Sequence, residues 1–259
     1  MRSSPDEQVL DRLNIRTVAD VRPAAEALHA ATMALAGLRA AAAANIASKQ
    51  PMVDGNGEVL ASKVFGWSGP GPRWWETPQL ALFSPITTAC RYESEPFWCN
   101  KLGIHTRHYN CYIAALDLDN FIKRALTAAA IVVPIHLPFG QIGAVSFEPH
   151  DRQKTDLSQE FEQYADILDL YSRKFICGYV KVMMKQRTVQ SDVRLSKREV
   201  ECLRWAALGK TDQEIATIIR RSCATIRFHI HNAAVKLDAV NRSQTVFKAT
   251  QLGYLGAVT

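Results

Sequence analysis

Four helix starts crowd into residues 195–259, and their spacing constrains this chain more than any other feature. Ser196 with Glu199, and Thr211 with Glu214, each place a hydroxyl and a carboxylate three residues apart. In such a capping box the hydroxyl accepts from the backbone N–H three residues on, and the carboxylate reaches back to the cap's own N–H. The first helix carries Val200, Leu203, Trp205, Ala206 and Ala207 as apolar positions and stops at Gly209, a C-cap signal. The second, over 212–219, carries Ile215, Ala216, Ile218 and Ile219. A third starts at Ser222 or Cys223 and runs through Leu237, with Ile226, Ile230, Ala233, Ala234 and Leu237 inward. Asn241-Arg242-Ser243 opens a fourth that ends near Gly253. Four short helices with a tight turn between the second and third have a helix-turn-helix layout.

Charge points the same way. Of a net charge of +6, residues 187–259 hold 12 Lys/Arg against 6 Asp/Glu, and the rest of the chain holds 19 against 19. A neutral body therefore carries a basic, polyanion-seeking appendage. The third helix presents Thr225, Arg227, Phe228, His231, Asn232 and Lys236 outward. Arg bridges the two major-groove acceptors of guanine and Asn those of adenine, while Lys and helix N-termini favour phosphates. Singly, each of these residues reads more readily as part of a solvated helix face. Together, they predict contact with double-stranded DNA.

LSKREVECLRWAALGKTDQEIA, TIRFHIHNAAVKL and NRSQTV resemble the LuxR-type helix-turn-helix of quorum-sensing regulators and NarL/FixJ response regulators. The resemblance implies that Arg227 and His231 face bases and that Lys210, Thr225 and Lys236 contact the DNA backbone. Thr211, Arg221 and Asn232 complete the expected DNA-binding set. One departure lies in the turn, where the family has a small residue or Gly and this chain has Ile219-Arg220-Arg221-Ser222. An arginine there costs local strain or adds a phosphate contact.

The N-terminal part reads as mixed α and β. Ser4-Pro5-Asp6-Glu7 predicts a helix start with Ser4 as cap, giving a helix over 5–14, and the Ala-rich run predicts another over 22–48. Pro51 and Asp54-Gly55-Asn56-Gly57 mark a turn, so 52–66 reads as a hairpin with Glu58–Gly66 as a strand. The Gly-, Pro- and Trp-rich stretch 67–75 forms no long regular element. Ile131–Ile135 and Ile142–Phe147 read as paired strands. Leu157, Phe161, Tyr164, Leu168, Tyr171 and Phe175 recur at helical spacing, predicting a helix over 157–182. Its stripe packs on its own sheet or forms a dimer seam. The polar stretch 186–194 reads as a linker.

The expected fold class is α+β: a signal-binding-like domain over 1–185, an α-β-α sandwich around an antiparallel sheet, and an all-α DNA-binding domain over 195–259. A phosphate-receiver domain does not fit the Ala-rich helical start and the Trp/Pro-rich middle. The first domain resembles the autoinducer-binding domain of LuxR proteins. Phe97-Trp98 is similar to that family's aromatic pocket wall, 131–147 to its paired central strands, Gly143 to its typical glycine, and Ser146 to a pocket-lining position. The family also has a Trp-x-x-x-Tyr pair followed by an Asp-Pro whose Asp bonds the amide of an acyl-homoserine lactone. Here Ser84-Pro85 stands for Asp-Pro, Trp75 falls on the Tyr position and Gly71 on the Trp position. A hydroxyl lacks the charge-assisted bond of a carboxylate. The expected ligand-binding set is Trp67, Trp75, Ser84, Phe97, Trp98 and Ser146. The aromatics, with Trp74, either hold an aryl or flat ligand or fill the core.

Other classes find little support. His105 and His108 with Cys99 and Cys111 lack the HExxH or paired CxxC pattern of a metal site. No nucleophile elbow, phosphate loop or GxGxxG is present, so neither an enzyme, a metal nor a cofactor is expected. The polar N-terminus and the lack of an 18-residue apolar run predict a cytoplasmic protein without a membrane partner, with six scattered cysteines reduced and mostly buried. The resulting expectation is a homodimeric transcription regulator on a near-palindromic site, gated by a small autoinducer, with RNA polymerase as a further partner. The alternative is an orphan regulator whose first domain binds a protein or nothing.

Overall fold

The computed structural model describes residues 6–48, 50–69, 72–73, 76–77, 82–151, 153–183 and 194–256. The chain divides near Lys185 into two compact units. Except for Arg194, the expected linker lies outside the described residues, as do Ser4, Pro5, Gly71, Trp74 and Trp75.

The first unit opens with α1 (Glu7–Arg12). Asp6 caps it, accepting from the Gln8 N–H at 2.9 Å, so the helix begins two residues later than the Ser4-Pro5 signal predicts. Helix α2 (Val21–Ala36) covers only the first part of the Ala-rich run. Gly37 stops it in the left-handed region at φ 62°, its N–H bonding the carbonyls of Thr32 and Met33. The following Leu38–Ala43 is a strand, β1, not the predicted helix. Alanine's helix preference amounts to tenths of a kcal/mol per residue, and a full ladder with the strand 142–149 overrides it.

The predicted turn at 54–57 forms. Val53 and Val59 bridge across it, and the Asp54 carboxylate accepts from the N–H groups of Asn56 and Glu58 at 2.9 and 3.0 Å. The predicted strand after it does not. Leu60–Lys63 is a helical turn, α3, and Leu60 and Phe65 are both buried in the same core.

Then come α4 (Pro85–Tyr92), β2 (Phe97–Asn100), β3 (Gly103–His105), α5 (Cys111–Ala114), α6 (Phe121–Ala125), β4 (Ala129–His136), β5 (Ile142–Pro149) and α7 (Ser158–Met183). The five strands form one antiparallel sheet in the order β1-β5-β4-β2-β3. The expected paired strands are β4 and β5, with Val132 opposite Ser146.

Side chains alternate across a pleated sheet, and each face is covered. Ala40, Phe147, Ile131 and Trp98 pack on one side with α2 and α7. Val132, Phe97, Cys99 and Ala144 face the other, with Ala89 and Cys90 of α4, Ile113 and Phe121. The α7 stripe serves its own domain: Leu157, Leu168, Tyr171 and Phe175 are buried in the first of these clusters, and Phe161 and Tyr164 pack against it. Gly143 lies where α7 presses on the sheet. A Cβ there would meet Ile176 Cγ2 at 2.9 Å and the carbonyl oxygens of Ala43 and Ala44 at 3.2 and 3.3 Å.

The second unit holds α8 (Lys197–Ala207), α9 (Asp212–Ile218), α10 (Cys223–Lys236) and α11 (Arg242–Gln251). Both capping boxes are made, at Ser196–Glu199 and Thr211–Glu214. Ser222 caps α10 and Asn241 caps α11. Ile215, Ile226 and Ile230 form one buried cluster with Cys202, and Leu203, Ala233, Leu237 and Ala249 another. In the turn between α9 and α10, Arg220 adopts φ 51°, a conformation that favours glycine. Among the described residues no helix is long and apolar enough to cross a membrane. The six cysteines are free thiols; Cys90, Cys99 and Cys202 are buried, and Cys111 is exposed. Burial pushes the Cys90 thiol up to about 12.

Candidate nucleic-acid interface and ligand cavity

The outward face of α10 follows from which residues the two clusters consume. Ile226, Ile230, Ala233 and Leu237 point inward. On the opposite side Ala224, Arg227, Phe228, His231 and Val235 are exposed and recur at helical spacing, a single stripe. Phe228 is 60% exposed and Val235 65%. Ser222 fixes the helix start: its Oγ accepts from the Thr225 N–H at 3.1 Å and lies 2.8 Å from Thr225 Oγ1. Thr225 and Asn232 are half-buried on the flank of the stripe, and Arg221 is exposed just before the helix.

Five expected DNA contacts have partners inside this unit, Thr225 through Ser222 among them. Thr211 Oγ1 donates to Glu214 at 2.9 Å within its capping box. Lys210 Nζ lies 3.5 Å from Glu214 Oε1, both exposed. Lys236 Nζ donates to both carboxylate oxygens of Glu199 at 2.9 and 2.8 Å, and that carboxylate is nearly fully buried. Sequence reasoning missed Glu199 as an ion-pair partner because its capping role already accounted for it. Arg227 Nε lies 3.5 Å from Asp212 Oδ2, a pairing between different helices that no linear pattern displays.

The first unit contains a cavity of about 440 Å³ on the sheet face opposite α2 and α7. Its floor is the row of small side chains Ala41, Ala43, Ala144 and Ser146, with Val132 beside them. Of the expected set, Trp67, Ser84 and Ser146 line it and Phe97 and Trp98 do not. Adjacent strand residues point to opposite faces, so Phe97 and Trp98 cannot share a wall. Phe97 is buried under α4–α6, and Trp98 stacks on His105 with ring centroids 4.0 Å apart. Trp75 lies outside the described residues.

Trp67 is held by its indole N–H, which donates to the Ala40 carbonyl at 2.7 Å, and the Arg39 guanidinium sits 3.5 Å over its ring. Ser84 is buried at the start of α4, and its side chain does not cap that helix. Arg124 anchors the residue before it, donating through Nε and Nη2 to the Phe83 carbonyl at 3.1 and 2.9 Å and through Nη1 to Asp117 at 2.7 Å. Sequence reasoning missed Arg39 and Arg124; a lone Arg inside an alanine run was the available signal for Arg39. Polar groups around an apolar floor suit an amphiphilic small molecule. Among the described residues no cluster of three or more His, Cys, Asp or Glu could hold a metal.

Residues 193–249 match the family model of bacterial regulatory proteins of the luxR family. The transcriptional activator protein VanR of Vibrio anguillarum is 41% identical over 130 residues, 49% of this chain and 52% of its own length. The quorum sensing-dependent regulator VjbR of Brucella ovis is 48% identical over 170 residues, 63% of each chain. A solved structure of SdiA in complex with octanoyl-rac-glycerol is similar over 96% of this chain and 95% of that one, at 19% identity and a TM-score of 0.47. The chain spans about half to two thirds of the length of the first curated relatives it matches.

Proposed function

We propose that this chain, whose residues 193–249 match the family model of bacterial regulatory proteins of the luxR family, is a DNA-binding transcriptional regulator whose N-terminal unit senses a small molecule. The observation that carries the reading is the outward stripe of α10. It holds an exposed Arg, an exposed His and an exposed Phe, with Lys210, Arg220 and Arg221 on the same unit. A second helix of a helix-turn-helix enters the major groove with such a stripe. Arg227 reads guanine, His231 meets a second base, and Phe228 lies against a thymine methyl. Arg221, Lys210, Thr225 and the N-terminus of α10 take phosphates, and Asn232 flanks the stripe. Lys236 braces the helix through Glu199 instead. Two copies on a near-palindrome set the half-site spacing, and RNA polymerase is the downstream partner.

The cavity supplies the input. VjbR is by its name quorum sensing-dependent, and the cavity's alanine floor and Ser84, Ser146 and Trp67 fit an amphiphile of the acyl-homoserine lactone or aryl class. A ligand gates DNA binding only by favouring one arrangement of the protein over another. The protein is a non-enzymatic cytoplasmic regulator in this reading. Native mass spectrometry of protein purified from its host weighs a retained ligand, and titration of a selected DNA duplex before and after its removal reads the gate. No retained mass, with no thermal stabilisation by any acyl-homoserine lactone, returns the orphan regulator instead.

A further inference from the structure

Asp212 opens α9 and is held from one side. Its Oδ1 accepts from Arg242 Nη1, and Arg242 Nη2 donates to the Lys210 carbonyl at 2.6 Å. The carboxylate is therefore anchored between α11 and the start of α9, with its side chain 24% exposed. Its other oxygen, Oδ2, faces Arg227 Nε at 3.5 Å, and the Arg227 side chain is 73% exposed. A rigid acid thus contacts a projecting base on the outward stripe of the next helix.

The atom engaged matters. An acid set beside Nε does not span the guanidinium's end-on face, whose two terminal nitrogens can fork to guanine O6 and N7. The carboxylate also offsets the charge that would draw Arg227 to any phosphate, and it opposes a polyanion wherever that fork is not satisfied. Specificity of this kind combines an attraction for the right partner with a repulsion for the wrong one.

We propose that Asp212 is a positioning residue that turns Arg227 from a phosphate-seeking side chain into a guanine-reading one. This rests on the reading of α10 as the DNA-contacting helix. The test uses the full chain and a duplex selected by it from a random library. Affinity is measured for that duplex, for versions with each G·C pair replaced in turn by A·T, and for a scrambled duplex. Arg227→Ala identifies the G·C pair that Arg227 reads. Asp212→Asn is expected to lower discrimination at that pair about tenfold and to tighten binding to the scrambled duplex. Arg242→Gln removes the anchor that holds Asp212; it is expected to lower the melting temperature and to lower discrimination at the same pair, by less than Asp212→Asn does.

If Asp212→Asn keeps full discrimination, or weakens every duplex equally, Asp212 is structural only and the proposal fails. If Arg227→Ala changes no single pair, the guanine-reading role itself falls, and the proposal with it. Should Asp212→Asn not fold, the ¹⁵N signal of Arg227 Nε–H in the unmodified chain decides. Hydrogen exchange slower than at Arg221 Nε–H is expected, and equal rates overturn the proposal.

Discussion

Lys236 Nζ bonds both carboxylate oxygens of Glu199 at 2.9 and 2.8 Å, tying the last turn of α10 to the first turn of α8. Glu199 also accepts from the Ser196 N–H at 2.7 Å, so one buried carboxylate caps one helix and braces another. Removing one partner of a buried pair leaves an uncompensated charge. Only Glu199 is buried; the Lys236 side chain is 40% exposed and water screens part of the loss, so Lys236→Met is expected to destabilise the second unit by about 1–2 kcal/mol, measured by denaturant unfolding.

The same carboxylate predicts a pH dependence. Burial alone would raise its pKa, but the Lys236 ammonium and the Ser196 amide outweigh that and hold it below the usual 4.5. A depressed pKa contributes stability that is complete above the unfolded value and is lost as pH falls through the folded one. The stability difference between wild type and Glu199→Gln should be largest above pH 4.5 and shrink below it. A difference that stays constant across that window contradicts this assignment.

Arg220 holds φ 51° in the turn before α10. A left-handed residue with a Cβ costs about 1–2 kcal/mol, and glycine's extra freedom when unfolded returns about 0.4–1. Arg220→Gly should thus stabilise the second unit by about 0.5–1 kcal/mol. It should also weaken DNA binding and flatten its salt dependence by about one phosphate contact. Calorimetry and affinity at several salt concentrations check the two effects separately.

Gly143 has no room for a methyl group. Two of the three atoms a Cβ would meet are backbone oxygens of Ala43 and Ala44, which side-chain repacking cannot move. Gly143→Ala is expected to cost about 1–3 kcal/mol and to lower the denaturation midpoint of the first unit. An unchanged midpoint would mean that β1 shifts freely, against its full ladder with β5.

Ser84 lines the cavity, and the resemblance to an autoinducer-binding domain implies an aspartate in its place. Ser84→Asp places a charge at a buried position, so the unliganded protein should melt lower. An acyl-homoserine lactone offers that charge an amide N–H, and its affinity should rise about tenfold. Thermal shift with and without the lactone reads both effects, and equal shifts in wild type and variant would place Ser84 away from the ligand's amide.

How much of this was legible in sequence depends on how local the determinant is. The second unit could be read almost residue by residue, because capping boxes act over three residues and Ser196, Thr211, Ser222 and Asn241 cap as expected. Strand β1 was not legible: five of its residues, Leu38 and Ala40–Ala43, carry no signal against helix, and only pairing with β5 makes them extended. The cavity was half legible. Trp67, Ser84 and Ser146 line it, but the contact of Arg39 with Trp67 joins residues 28 positions apart. Asp212 is by position an ordinary first-turn acid of α9, and only the crossing of α9 and α10 reveals what its second oxygen meets.

The account stands most directly on sequence-specific DNA binding through α10. The decisive measurement is the affinity of the full chain and of Arg227→Ala for a library-selected duplex and for a scrambled one at physiological salt. The account predicts that wild type prefers the selected duplex by at least about 10³-fold, and that Arg227→Ala loses most of this preference while holding the scrambled duplex nearly as well. Equal loss on both duplexes, or no preference in the wild type, would contradict it.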